Sequence, residues 1–266
     1  FKEKIWGGTK LKKYLNKQAK GNIGESWELS GVDENVSIVQ NGTLKGKDLN
    51  SLIIDFKEDL VGKKVYRSFH NTFPLLFKFI DAREDLSVQL HPNDKLAKER
   101  HNSFGKSEMW YVLQADENSR LILGFKSGVE ETNYKIHLKE NTLSEILHYE
   151  KVDKGDSFFI DTGTVHAIGA GVVLAEIQQT SDITYRIYDY NRPDTNGNLR
   201  TLHNDLALEA LDFKKVSSKL VYESTMNEPV QICKTNYFET NKIILIKDIK
   251  RDLSAIDSFV VYMCVE

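Results

Sequence analysis

The sequence predicts a mainly β protein, an antiparallel sandwich or barrel, on three observations. Short apolar runs recur at roughly ten-residue spacing, and Gly, Asn and Asp turns separate them. A regular alternation of strands with helices is missing. The glycine-rich loops that cradle phosphates are missing too, since GAG at 169–171 lies between two β runs with no helix after it.

In chain order, strands are expected at 73–81, 86–91, 108–115, 120–125, 132–138, 147–152, 157–161, 172–178 and 184–190, and again at 230–238, 242–248 and 258–265. Helices are expected in KGKDLNSLIIDFKEDL, with Leu49, Leu52, Ile53, Phe56 and Leu60 on one face, in TLHNDLALEALDFKKV, and from Asp94 through Arg100. The expected organisation is a β domain over 1–192 with a helical insert near 45–62, a helical connection over 193–222, and the start of a second β unit at 223–266. Because the sequence opens FKEKIWGG without methionine and stops in the strand-like DSFVVYMCVE, segments at both ends are expected to be missing.

Composition bounds the function. With 36 basic and 39 acidic residues spread along the chain, the net charge of −3 supplies no field for nucleic acid or an anionic membrane. The two cysteines, Cys233 and Cys264, form neither a disulfide framework nor a close metal pair. That usage, without a signal peptide or a spanning apolar run, points to a cytoplasmic protein. Oligomeric state is not legible.

Chemistry concentrates in three stretches. In LSVQLHPND, Gln89 and His91 interrupt an apolar run and, two apart on a strand, share a face opposite Val88 and Leu90. GKSEMWYVLQA places Glu108 at the mouth of an apolar strand, and KGDSFFIDTGTVHAIG presents His166 from a glycine turn. Gln89, His91, Glu108 and His166 form a mixed nitrogen and oxygen set suited to Zn²⁺ or another borderline divalent metal. Each has a plainer reading: Gln89 as a solvated strand residue, His91 as a strand end, Glu108 as a surface partner of Lys106. His137 reads as a solvent-facing strand residue, and Trp110 as sheet core.

Gly155, Asp156, Gly163 and His166 are similar to the second half of the cupin signature, with Asp161 where that signature usually has proline. With Gln89-Leu90-His91-Pro92, GKSE and GTVHAIG, the chain resembles the type I mannose-6-phosphate isomerases in their short bacterial form. GESWELS at 24–30, AEIQQTSDITYRIYDYNR at 175–192 and LHNDLALEALDF at 202–213 extend the likeness over nearly the whole length. The resemblance implies a cupin-like jelly-roll barrel and the start of a second such domain. It also implies one zinc per chain on Gln89, His91, Glu108 and His166, and interconversion of mannose 6-phosphate and fructose 6-phosphate, with a small phosphorylated sugar as the substrate.

An aldose–ketose isomerase needs an acid/base group and stabilisation of an enediolate. The resemblance implies that Arg186 is the catalytic arginine, binding the sugar oxygens and enediolate or steadying the phosphate; Lys106 projects to the same side as Glu108, and Glu176 and Asp182 are the acid/base candidates. Lys95, Glu25 and Trp27 are candidate substrate contacts. Competing readings make Arg186 and Asp182 a structural ion pair and Lys106 merely exposed. A cupin-type metal oxygenase or a non-catalytic sugar-phosphate-binding module are the alternative functions.

Overall fold

The computed structural model describes residues 1–194 and 196–266. Thirteen strands run β1 (Lys2–Gly8), β2 (Ile23–Leu29), β3 (Leu75–Asp81), β4 (Val88–Leu90), β5 (Glu108–Ala115), β6 (Arg120–Phe125), β7 (Leu147–Lys151), β8 (Ser157–Ile160), β9 (His166–Ile168), β10 (Val172–Gln179), β11 (Tyr185–Tyr188), β12 (Val230–Lys234) and β13 (Glu239–Lys242). Seven α-helices accompany them: α1 (Lys10–Leu15), α2 (Leu49–Phe56), α3 (Glu58–Val61), α4 (Lys63–Phe69), α5 (Asp94–His101), α6 (Glu131–Lys139) and α7 (Asn204–Ala210). The mainly β expectation holds. One sheet has the order β1-β2-β3-β10-β5-β8, a second β11-β4-β9-β6-β7, and β12-β13 form a separate hairpin; all strand pairs in them are antiparallel.

Side-chain alternation explains the layering. On β3, β5 and β10 one parity carries Ile80, Trp110, Val112 and Leu174, which pack with Leu121, Leu123 and Ile168 of the second sheet as the central core. The opposite parity carries Phe77, Phe79, Met109, Val173 and Ala175. These pack outward against Ile53, Val61 and Phe73, against Leu11, and against Phe259, Val261, Met263 and Val265 near the C-terminal end. Val88, Leu90, Ala167, Tyr185 and Ile187 on the outer face of the second sheet are covered by Tyr134 of α6 and Ala207 of α7. Burying about 100 Å² of apolar surface per core side chain is worth roughly 2–3 kcal/mol each, so this double covering is the main source of stability.

Several sequence expectations are corrected. Residues 132–138 are helical, not a strand: a reciprocal cap between Glu130 and Asn133 starts α6, and only Tyr134 of the helix is fully buried. Its His137 therefore lies on a helix, with Nδ1 against the Thr142 hydroxyl at 2.8 Å. The amphipathic stretch at 45–62 breaks at Lys57, whose φ of 48° ends α2, so Phe56 and Leu60 are exposed while Leu52 and Ile53 are buried. β13 lies N-terminal to the expected 242–248, and 258–265 forms no strand. The sequence reading gave no element for β1, β2, β9, α1 or α4, and α3 falls at the end of the expected helical insert. No helix among the described residues is long and apolar enough to cross a membrane.

Candidate metal and active site

At one end of the central core, the inward parity of both sheets turns polar. Along β5 the order is Val112, Trp110, Glu108; along β10 it is Leu174, Glu176, Gln178; along β3 it is Ile80, Lys78, Leu76. On the facing sheet, strand register sets Arg186 opposite Gln89 and Gln89 opposite His166, one row across β11, β4 and β9. A row shares a face, so these three side chains project together.

His91, Glu108 and His166 converge: their candidate ligand atoms all lie within 4.8 Å of one another, and all three residues are buried. His91 Nδ1 is 2.8 Å from the Ile183 carbonyl and His166 Nδ1 is 2.9 Å from the Thr164 carbonyl. A carbonyl only accepts, so each Nδ1 carries the proton and each Nε2 keeps a free lone pair aimed at the cluster. His91 Nε2 is 3.2 Å and His166 Nε2 3.8 Å from the Glu108 carboxylate. Lone pairs facing a carboxylate at these distances repel unless a cation lies among them.

One cation is present in the protein itself. Lys106 Nζ lies 2.7 Å from Glu108 Oε1 and 3.2 Å from His91 Nε2. The Glu108 contact is an ion pair without the alignment of a hydrogen bond, and both Glu108 oxygens and His166 Nε2 remain buried without hydrogen-bond partners. Such orphaned acceptors are costly, and their chemistry fits a divalent metal. Burial, with Lys106 close by, pushes His91 down to about 3, and burial lowers His166 as well. Burial would raise the Glu108 carboxyl, but the Lys106 ammonium beside it holds the group well below the usual carboxylate range. Neutral imidazoles and an ionised carboxylate are the ligating forms.

The depressed imidazole predicts how metal-stripped protein responds to pH. The unfolded chain takes up a proton at His91 below about 6.5, whereas the folded chain resists it down to about 3. Its contribution to stability is therefore complete above pH 6.5 and is lost as pH falls. Between pH 6.5 and 5 this amounts to ~2 kcal/mol, readable from denaturant midpoints; a flat profile there would count against a buried neutral His91.

The turn that delivers His166 is built locally. Gly163 has φ +82°, and a Cβ there would meet the Ala210 carbonyl at 2.8 Å, so glycine is required. Asp161 fixes the same turn by accepting from the Thr162 amide at 2.8 Å and pairing with Lys215 at 2.5 Å. The turn thus replaces the restraint of a proline with hydrogen bonds.

Around the cluster, Glu176 is held from both sides: Lys78 Nζ lies 3.1 Å from its Oε1 and the Trp110 indole donates to its Oε2 at 2.9 Å. Burial and the Glu108 charge raise the Glu176 carboxyl despite Lys78. Trp110 is core, as expected, and also carries this bond. Arg186 is half-buried, donating from Nε to Ser87 Oγ at 3.1 Å and from Nη1 to the Thr201 carbonyl at 3.0 Å. Its backbone is gripped by His203, whose Nδ1 accepts from the Arg186 amide and whose amide donates to the Arg186 carbonyl. Glu25 accepts from the Trp27 indole at 2.8 Å, and the Lys78 ammonium lies 5.3 Å from the Trp27 ring centre.

Two predicted residues lie apart from this assembly. Asp182 is exposed in the loop before β11, and Lys95 is exposed on α5, 4.0 Å from Glu99. Lys78 went unnoticed in the sequence, although a lone lysine inside LLFKFID, a run too apolar for a solvated face, was a usable signal.

The fold and this site define a class: a cupin-like β protein with a metal-competent His–Glu–His centre at one end of its core. The family model "Phosphomannose isomerase type I, catalytic domain" matches residues 1–123. The mannose-6-phosphate isomerase ManA of Bacillus subtilis is 38% identical over 82% of this chain and 68% of its own length. The corresponding enzyme of Streptococcus mutans is 38% identical over 80% of this chain and 66% of its own length. A crystal structure of the Bacillus subtilis enzyme superposes with a TM-score of 0.81 at 33% identity, covering 90% of this chain and 76% of that one. The chain belongs to the type I phosphomannose isomerases.

Proposed function

We propose that the chain is a metal-dependent aldose–ketose isomerase interconverting mannose 6-phosphate and fructose 6-phosphate. The observation that carries this reading is the buried His91–Glu108–His166 cluster, with its free lone pairs and orphaned carboxylate, beside a clamped carboxylate and a half-buried arginine. Gln89, from its place opposite His166, completes a four-residue ligand set for one zinc ion per chain. Bound there, the metal supplies Lewis-acid stabilisation of negative charge developing on the sugar oxygens.

The protein's own groups perform the rest. Glu176, with both oxygens oriented and its carboxyl raised, accepts the C2 proton of the open-chain aldose and returns it to C1. Lys106 moves the proton between O1 and O2, its ammonium being the nearest acid to the ligand set. Arg186 stabilises the enediolate with the N–H donors left over from Ser87 and Thr201, a guanidinium having five. Glu25 and Trp27 line the sugar's approach. Residues 1–192 form the metal-binding domain, 193–222 the connection, and 223–266 the start of a second cupin-like unit. The protein acts in a reducing cytoplasm.

The test is a coupled assay of fructose 6-phosphate formation before and after chelation. Activity should vanish with chelator and return with one equivalent of zinc. A folded, zinc-loaded protein without turnover would remove the isomerase reading in favour of a binding module, and tightly bound iron with oxygen uptake would favour the oxygenase.

A further inference from the structure

We propose that Lys78 is a positioning residue for the isomerisation, acting through Glu176; this rests on the isomerase reading. Lys78 sits in the middle of β3, in which all seven residues are buried, and is itself only 7% exposed. Taking an ammonium out of water costs several kcal/mol, and an aliphatic residue would pack there at no such cost. The position therefore calls for an explanation other than stability.

The geometry supplies one. Register places Glu176 directly opposite Lys78 on one side and Trp110 on the other, so three adjacent strands contribute a single row. Within it the carboxylate is held at both oxygens, by Lys78 at 3.1 Å and by the Trp110 indole at 2.9 Å. A second donor of Lys78 reaches Gln178 Oε1 at 2.6 Å. The Gln178 amide is locked in turn, with Nε2 donating to the Gln179 carbonyl at 2.9 Å and the Ser181 carbonyl at 2.7 Å. Its oxygen therefore faces Lys78, and the ammonium is tethered between two fixed acceptors rather than left free for a ligand.

The consequence is a preset proton acceptor. A carboxylate clamped from both neighbouring strands keeps one orientation while a sugar enters. Alignment of this kind raises turnover without tightening substrate binding. Lys78 touches Glu176 rather than the sugar, so its contribution should exist only while Glu176 does.

A double-mutant cycle measures that dependence. K78M, E176Q and K78M/E176Q are assayed as full-length, zinc-loaded proteins, with metal content and Tm recorded for each. K78M should lower kcat by about 10²-fold and leave KM within about threefold. In the E176Q background the same change should cost less than about threefold. K78Q, which keeps a hydrogen-bond donor without the charge, carries the same cycle if K78M fails to fold, with a smaller loss expected. Equal factors in the two backgrounds, a loss confined to KM, or wild-type turnover in K78M would each overturn the proposal. Wild-type protein with no turnover would overturn the isomerase reading instead.

Discussion

Replacing Glu108 with glutamine is expected to empty the metal centre and abolish turnover. The amide keeps the shape of the side chain but removes the one negative charge that His91, His166 and Lys106 all face. What remains is a buried ammonium beside imidazole lone pairs, and removing one partner of a buried charge set costs about 3–5 kcal/mol. Metal content should fall from about one ion per chain to a small fraction of that. The rate should drop by about 10³-fold or more, the size of a lost electrostatic stabiliser worth several kcal/mol. Elemental analysis, calorimetry and the coupled assay read these effects separately. Full metal occupancy with activity within tenfold of wild type would show that the cluster is structural.

Arg186→Ala should separate the chemistry from the metal. Arg186 shares its row with Gln89 and His166, yet its own contacts are to Ser87 and Thr201, so its removal leaves the three converging donors untouched. The expected result is a loss of about 10²–10³-fold in kcat/KM, with metal content unchanged and Tm lowered by only a few degrees. Arg186→Lys should recover part of the loss, because an ammonium restores the charge but not the planar fork. Unimpaired turnover in the alanine variant with metal retained would assign Arg186 to holding Ser87 and the 201–203 segment in place.

What was legible in the sequence follows from strand periodicity. Gln89 and Glu108 stood out because each is a polar residue in an otherwise apolar strand, where alternation dictates which residues share its face, and His166 because a glycine turn presents it. The plainer reading of Lys106 as an exposed lysine fails because the fold turns its ammonium inward onto Glu108. Residues 132–138 misled for the opposite reason: YKIHL alternates like a strand, but Tyr134 and Leu138 are also four apart, and the Glu130–Asn133 cap decides for the helix. The break at Lys57 depends on a backbone angle that no side-chain pattern announces. Lys78 was hidden because a single lysine in an apolar run carries no partner in the local sequence. Its partners, Glu176 and Gln178, come from a strand about a hundred residues away.

The row of Arg186, Gln89 and His166 also bears on how the chain folds. Its members come from β4, β9 and β11, and Glu108 comes from β5 in the other sheet. None of these strands can present its side chain to the others until the intervening chain has closed, and contacts so far apart in sequence form slowly and late. Ion capture during refolding should accordingly lag behind the appearance of secondary structure. The ion would then act as a lock on the finished topology rather than as a nucleus for it, and zinc supplied after refolding should serve as well as zinc present throughout.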